Sequence, residues 1–485
     1  MIRLSGQGPL GRQVYLALRE SILSGELKEG TRLPSTRALA GDLGVSRTVT
    51  QFAYEQLMAE GYLVGRVGSG TRVTGEAARL ATSHPALTTG APSSLHLSKA
   101  GERALERAAS LYSTAATRRR RLRYDFRPGL PPLADFPHET WRRLLGRQIR
   151  RIDLPSHDYG PAAGSPALRE ALADYLRRVR ALSCSPEQIV IVNGSQQGID
   201  LAVRLLVDPG DAVVMEEPGY EGARNVFALA GAQVVDGPVD GEGLDIAAVA
   251  DEDARFAYVT PSHQFPTGAV MTMARRASLL DWAERRDAWI LEDDYDGEFR
   301  FGGKPLAPLQ AIDRGGRVVY LGTFSKVMFP SLRVGYLVLP PSLVRVFTRA
   351  KPLLDGGASM LVQEALAEFV SGGGFELYVR RLRSRMGERR AALLEALAEE
   401  FGDTAEVLGA ESGLHVLLRF RDLPSSVLEV AARAAAEKEV GAYSAAPYYR
   451  HAPVHGELVM GYAALTPAAI REGVRRLAAV VRETR

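Results

Sequence analysis

Apolar residues at Leu10, Val14, Leu16, Leu18, Ile22 and Leu23 recur at helical spacing and predict an amphipathic helix over Leu10–Ser24. Pro34 interrupts the next segment, Ser35 is placed to cap a short helix over Thr36–Leu43, and Gly44 ends it. Ser46 is placed to cap a third helix that runs to about Glu60 and stops at Gly61. Tyr62–Val64 and Thr71–Val73 then predict two short strands around Gly65-Arg66-Val67-Gly68-Ser69-Gly70. From Tyr124 onward the pattern changes to short apolar runs alternating with amphipathic helices. The runs are Ile189–Val192, Ala212–Glu216, Gln233–Val235, Phe256–Thr260, Trp289–Glu292, Val318–Leu321 and Val334–Leu339. Most are continuously apolar, as expected of parallel strands covered on both faces, with helices over Ser165–Val179, Ser195–Leu206 and Arg275–Arg286 between them. Past about residue 372, Arg- and Ala-rich helices (Glu376–Glu400, Val427–Lys438, Pro467–Arg482) flank strands Gly413–Leu418 and Leu458–Tyr462, which predicts a smaller α+β domain.

The expected organisation is therefore multidomain: a helical head over 1–74, a linker over 75–123, a large α/β domain over 124–371 and a small C-terminal domain over 372–485. Gly75–Ser98 is rich in Ala, Ser, Thr, Pro and Gly and reads as flexible. Arg103–Arg123 is expected to form a short helix ending in Arg118-Arg119-Arg120-Arg121, a solvated run whose sharper alternative is phosphate contact.

Charge sharpens this picture. The head carries net +3 and residues 75–124 net +6, whereas the remaining 361 residues carry net −6. A basic front on an acidic body suggests a head that binds a polyanion. Composition is otherwise ordinary for a globular chain, at 46% apolar and 24% charged. The single cysteine, Cys184, excludes an intrachain disulfide. The first residues hold no apolar stretch, and the longest uncharged segments are interrupted by prolines. The expected location is the cytoplasm.

The head has the parts of a winged helix-turn-helix. Its third helix opens Ser46-Arg47-Thr48-Val49-Thr50-Gln51, short side chains and donors suited to entering the major groove, with Ser46, Arg47, Thr48 and Thr50 as the candidate contacts. Arg32, Ser35 and Arg37 sit where the preceding helix would meet the DNA backbone. Arg66, Ser69 and Arg72 line the hairpin, suited to the adjacent minor groove. The plainer alternative is a small helical dimerisation domain. The words Gly30-Thr31-Arg32-Leu33-Pro34-Ser35, Leu39-Ala40-Gly41-Asp42-Leu43-Gly44-Val45-Ser46-Arg47 and Tyr54-Glu55-Gln56-Leu57 with Glu60-Gly61-Tyr62 resemble the GntR family of winged-helix repressors over about residues 9–74. The implied partner is double-stranded operator DNA.

In the body, the run Trp289–Glu292 ends in Asp293-Asp294-Tyr295, and Val318–Leu321 leads into Gly322-Thr323-Phe324-Ser325-Lys326, with Arg333 seven residues on. Ligands bind at such carboxyl ends of parallel strands. An acid, an amine, a guanidinium and hydroxyls gathered there are the set that pyridoxal phosphate (PLP) needs: a lysine for the Schiff base, a carboxylate on the pyridine nitrogen, and an arginine with hydroxyls on the phosphate. Asn193-Gly194-Ser195-Gln196-Gln197 joins a strand to a helix N-terminus, a natural phosphate seat. Only six residues of the chain are lysine, so Lys326 stands out.

The body resembles the fold-type I PLP-dependent aminotransferases. The whole chain resembles the MocR/GabR-type regulators, in which a GntR head precedes an aminotransferase-like body. The words that carry this are Tyr124-Asp125-Phe126-Arg127-Pro128-Gly129, Tyr159-Gly160, Val259-Thr260-Pro261-Ser262-His263-Gln264-Phe265-Pro266-Thr267-Gly268, Glu292-Asp293-Asp294-Tyr295-Asp296-Gly297-Glu298-Phe299 and Gly322–Gly335. The resemblance implies that Lys326 forms the internal aldimine. Asp293 would pair with the pyridine nitrogen and Tyr295 with the phenolic oxygen. Thr323, Ser325 and Arg333 would bind the phosphate, helped by Ser195 and Gln196. Tyr220 would stack on the ring, His263 would lie beside it, and Tyr159 would reach the phosphate of the partner in a domain-swapped homodimer. Phe265 stands where true aminotransferases usually carry Asn.

One departure bears on function. Fold-type I aminotransferases commonly clamp a substrate carboxylate with an Arg in the last strand of the small domain, and Glu457–Ala463 contains none. Arg450 is the candidate substitute for an effector carboxylate. His451 and His455 have metal-like spacing, but Pro453 between them breaks any helix, so no metal is expected. The expected function is a PLP-dependent transcriptional regulator that senses PLP, an amine or amino-acid effector, or both. The other reading is an active aminotransferase that keeps a DNA-binding head, since PLP binding and transamination need the same residues.

Overall fold

The computed structural model describes residues 4, 6, 8–66, 70–76, 96–107, 122–151, 159–301 and 307–484. The chain divides into two compact units, Met1–His96 and Leu97–Arg485.

In the first unit, α1 (Leu10–Leu23) buries Val14, Leu18 and Ile22 against Ala53, Tyr54 and Leu57 of α3 (Arg47–Ala59). Leu39 of α2 (Thr36–Leu43) closes the same core, together with Leu63 and Val73 of a hairpin, β1 (Leu63–Arg66) and β2 (Gly70–Val73). Ser35 caps α2 by accepting the Ala38 amide at 3.2 Å, and Gly44 takes the left-handed conformation (φ +65°) that ends it. Ser46 stands at the N-cap of α3, yet its side chain makes no capping hydrogen bond, contrary to expectation. The tie is made one turn later. Buried Thr50 donates its hydroxyl to Thr36 O at 2.8 Å and fastens α2 to α3. The first strand begins at Leu63 because the Tyr62 amide bonds back to Leu57 O.

In the second unit a short strand, β3 (Tyr124–Asp125), precedes a large sheet. That sheet comprises β4 (Ile189–Val192), β5 (Ala212–Glu217), β6 (Gln233–Asp240), β7 (Gly243–Leu244), β8 (Ala254–Val259), β9 (Trp289–Asp294), β10 (Val318–Thr323) and β11 (Gly335–Val338), in the order β4-β11-β10-β9-β8-β5-β6-β7. Strands β6, β5, β8, β9 and β10 are mutually parallel. β11, expected to continue the parallel set, runs antiparallel to both neighbours. The link from β10 to β11 is eleven residues that hold a turn and one short 3-10 helix, too little for the crossover that parallel neighbours require. Apolar clusters cover both faces of the sheet.

The C-terminal domain is an antiparallel sheet of β12 (Ala405–Leu408), β13 (His415–Pro424) and β15 (His455–Gly461), packed on helices Ser425–Glu437 and Pro467–Thr484. Here β14 (Val440–Gly441) pairs with β3, so Tyr124 and Phe126 belong to the C-terminal core rather than to the large domain. The expected cut at 371 is not clean for a second reason. The helix Gly374–Phe401 packs its first half, with Phe375 and Tyr378, in the large-domain core and its second half, with Leu393 and Phe401, in the small one. In the expected Arg103–Arg123 segment, residues 99–107 are helical, Arg123 lies in a turn, and Arg118–Arg121 lie outside the described residues. Among the described residues no helix is long and apolar enough to cross a membrane.

One buried ion pair ties the sheet to its covering helix. Arg180, the last residue of helix Pro166–Arg180, reaches Asp294 Oδ2 and donates to Gly297 O at 2.7 Å. Both side chains are at most 5% exposed, and the Tyr320 hydroxyl also donates to Asp294, at 2.7 Å. Removing one partner of such a pair leaves an uncompensated buried charge. Arg180→Leu is predicted to lower stability by about 3 kcal/mol in urea unfolding of the full chain. A loss below about 1 kcal/mol would place the pair among the weak surface bridges.

Candidate functional site

The carboxyl ends of β9, β10 and β4 meet the start of β11 in register, with Leu321 opposite Asp293, Thr323 opposite Gly335, and Gly335 opposite Val192. This alignment brings together residues far apart in sequence. Asp293 is 4% exposed; its Oδ2 accepts the Tyr258 hydroxyl at 2.7 Å, and its Oδ1 is buried with no hydrogen-bond partner among the described residues. Burial pushes its carboxyl up to about 7, against the Tyr258 hydrogen bond, with Asp294 raising it further and the Lys326 ammonium lowering it. The Lys326 amine donates to Gly129 O at 3.1 Å. A Cβ on Gly129 would come within 2.4 Å of that amine, so the turn must be glycine (φ +72°) for the lysine to lie there.

Ser195, the expected phosphate ligand, stands at the start of helix Ser195–Leu206. Gly194 (φ +85°) precedes it, and the Asn193 amide is held by Gln197 Oε1 at 2.6 Å. Arg333, itself in the left-handed region (φ +51°), donates to Asn193 O at 2.7 Å, with its guanidinium packed against Gly194. Strain of this kind is tolerated where the surroundings over-determine it. Thr323 Oγ1 accepts the Ser325 amide at 3.2 Å. Gln196 spends its side-chain amide on Gly222 O, leaving its backbone N–H for the seat. An unpartnered buried carboxylate oxygen, a lysine amine and a helix N-terminus with an arginine beside it fit the pyridine nitrogen, aldehyde and phosphate of PLP.

The other expected residues are placed less uniformly. The ring of Tyr220 lies edge-on to Phe265, with centroids 6.1 Å apart, and Phe265 also packs against Tyr295 at 6.1 Å. Tyr295 meets His263, with its hydroxyl 3.0 Å from Nδ1. Tyr159 is 89% exposed. Arg450 is 61% exposed and pairs through Nη1 with Asp236 at 2.8 Å, while its amide donates to Glu217 Oε1. Sequence reasoning missed Tyr258, Asp296 and His415. Tyr258 reads as an ordinary apolar-run residue and reaches Asp293 only because β8 lies beside β9.

In the head, Ser46, Arg47 and Thr48 are exposed at the start of α3, and Arg32, Ser35 and Arg37 are exposed around α2. Arg72 donates to Gly30 O at 2.7 Å and pairs by backbone with Arg32, whose side chain lies against Gly70. Thr50 is withdrawn from this surface by its bond to Thr36, which corrects its expected role as a DNA contact. The Arg66 side chain and Ser69 lie outside the described residues.

Three more acids share the raised value of Asp293: loss of solvation pushes Glu216, Glu292 and Glu298 up to about 7. The folded protein then keeps protons that the unfolded chain releases above the ordinary carboxylate range. That contribution to stability is complete at low pH and is lost as pH rises through about 7. The cofactor-free protein is predicted to melt at a lower temperature at pH 8 than at pH 6. Asp293→Asn should flatten part of that fall, and an unchanged slope would contradict the burial argument.

Comparison with known proteins agrees with this geometry. The family described as bacterial regulatory proteins, gntR family, matches residues 10–73, and aminotransferase class I and II matches residues 137–477. The chain is 41% identical to the "Probable rhizopine catabolism regulatory protein MocR" of Rhizobium meliloti, over 97% of this chain and 93% of that one. It is 32% identical to the HTH-type pyridoxine biosynthesis transcriptional regulator PdxR of Corynebacterium glutamicum, over 84% and 82%. The body superimposes on the α-aminoadipate aminotransferase LysN of Thermus thermophilus, solved with N-(5'-phosphopyridoxyl)-L-leucine. The TM-score is 0.71 at 30% identity, covering 80% of this chain and 97% of that one.

Proposed function

The chain belongs to the MocR-type regulators, a GntR-family head joined to an aminotransferase class I and II body, and we propose that it is a DNA-binding transcriptional regulator whose body holds PLP on Lys326. The observation that carries this is the buried, unpartnered Oδ1 of Asp293, in the same crevice as the lysine amine and the phosphate seat, on a chain that also presents Arg47 at the start of a helix-turn-helix. PLP, when bound, supplies an aldehyde and an electron-withdrawing ring. The protein's part is to hold them. Asp293 keeps the ring nitrogen protonated, Lys326 takes the aldehyde, and Ser195, Thr323, Ser325 and Arg333 hold the phosphate.

Sensing is favoured over turnover by the carboxylate side of the pocket. Strand β15 carries no arginine, and Arg450 is engaged by Asp236, so a bidentate clamp for an α-amino acid is not assembled. The effector is then PLP itself or an amine. Each ligand state would shift how paired heads are presented to an operator. We read the head as 1–74 and the linker as 75–123, and the exposed Tyr159 as reaching the phosphate of a second copy in a domain-swapped homodimer.

A gel-shift titration on DNA upstream of this gene, with and without PLP at fixed salt, tests the reading. Specific binding that changes with PLP or with an amine is expected, and an absence of specific binding at salt that screens non-specific contacts would revive the enzyme. Arg47→Ala is predicted to weaken operator binding by about tenfold, at about 1–3 kcal/mol per lost base or phosphate contact, with PLP uptake unchanged. Lys326→Ala should abolish the visible band of the lysine-bound cofactor while the protein stays folded; persistence of that band would displace the lysine assignment.

A further inference from the structure

Behind the crevice lies a cluster that the reading above leaves unused. His263 follows β8, and Asp296 follows β9 by two residues; both side chains are 1% exposed. His263 Nδ1 lies 2.9 Å from Asp296 Oδ2 and 3.0 Å from the Tyr295 hydroxyl oxygen. One ring nitrogen cannot donate to the first and accept from the second. A carboxylate has only acceptors, so the hydrogen sits on Nδ1 and is donated to Asp296 Oδ2. The Tyr295 hydroxyl hydrogen then has no acceptor at His263 and is left to point elsewhere.

We propose that the His263–Asp296 pair is a positioning element that keeps Tyr295 a hydrogen-bond donor into the crevice, toward the phenolic oxygen of bound PLP, and so fixes how readily the lysine-bound cofactor gives up its proton. This rests on the PLP reading. Phe265 adds to the case: at the position where a polar side chain would be a second donor, an aromatic ring packs edge-on to Tyr295, so the burden falls on that one hydroxyl.

The far side of His263 is built to hold the ring still. Its Nε2, Ser262 Oγ, Ser412 Oγ, and Nε and Nη1 of Arg300 are all buried without a partner among the described residues. They face one void of about 10 Å³, which has room and polar partners for a single water. Ser412 and Arg300 form a backbone bridge, and Gly413 donates to Phe299 O at 2.7 Å. Thus His263 is braced on the seam between the sheet and the C-terminal domain. The titratable and charged groups that face it are Asp296 and Tyr295 after β9, His415 on β13 with ring centroids 4.8 Å apart, and Arg180 and Arg300 around the void. Lys326 and Asp293 lie in the crevice beyond. Burial, and then the neighbouring His263, hold His415 well below the usual histidine range.

The test is the visible absorbance of the PLP-loaded full chain against pH. In His263→Leu and Asp296→Asn the phenolic oxygen loses its oriented donor, its anion is less stabilised, and the proton is held more tightly. The midpoint should move up by about one pH unit or more, a tenfold change in proton affinity. His263→Asn, whose amide N–H can stand in for Nδ1–H, should return it toward the wild-type value. Variants that keep the band and the melting temperature with the midpoint at the wild-type value would overturn the proposal. If His263→Leu fails to load, Asp296→Asn carries the decision. A wild-type chain that shows no band with PLP would instead overturn the function proposed above.

Discussion

Four carboxylates crowd the end of β9: Glu292, Asp293, Asp294 and Asp296 are all buried within five residues. Such a run is tolerable only if each acid has its own partner, since burying an unpaired charge is among the costliest acts in folding. The pleat makes this separation. Side chains alternate along a strand, so Glu292 and Asp294 leave on one face and Asp293 on the other. Glu292 accepts the Leu309 and Gln310 amides at 2.7 and 2.9 Å, which pins the segment ahead of β10. Asp294 takes Arg180 and Tyr320. Asp293 takes only Tyr258, and one of its oxygens remains unmatched. Asp296, past the strand, takes His263. Asp294 Oδ1 is likewise without a partner among the described residues, but Arg180 matches the charge of Asp294, whereas Asp293 has only the Tyr258 hydroxyl at hydrogen-bond distance.

That logic separates what was legible in the sequence from what was not. Lys326, Asp293 and Arg333 could be read because each sits at a strand end or tight turn, and strand ends are visible as the edges of apolar runs. Pairings across the sheet could not be read. Tyr258 becomes the partner of Asp293 through the β8–β9 neighbour relation, and His415 reaches His263 from a strand far later in the chain. The head shows the same division. The three helices and hairpin follow from spacing and caps, but Thr50, which looks like a groove-facing hydroxyl, is buried because its position on α3 faces α2. Arg450 reads as a spare cation and is in fact paired with Asp236 of β6, a partner that only the tertiary fold supplies. The reversed strand β11 escaped because an apolar run carries no direction.

The C-terminal domain is more than a cover for the crevice. It is stitched to the sheet by Phe301 to Glu411 and Gly413 to Phe299, on the seam that braces His263. It also claims the first strand of the body. Tyr124 donates to Glu439 O at 3.0 Å, Phe126 to Gly441 O at 3.1 Å, and Gly461 to Phe126 O at 2.9 Å. The strand that opens the body is therefore fixed to the C-terminal domain, whereas the earlier linker residue Arg103 donates to Leu229 O of the large domain at 3.3 Å. For a ligand to change what the head does, it must bind two arrangements of the protein with different affinity. The C-terminal domain is tied at once to the strand that opens the body and, through Phe299 and Phe301, to the loop that follows β9.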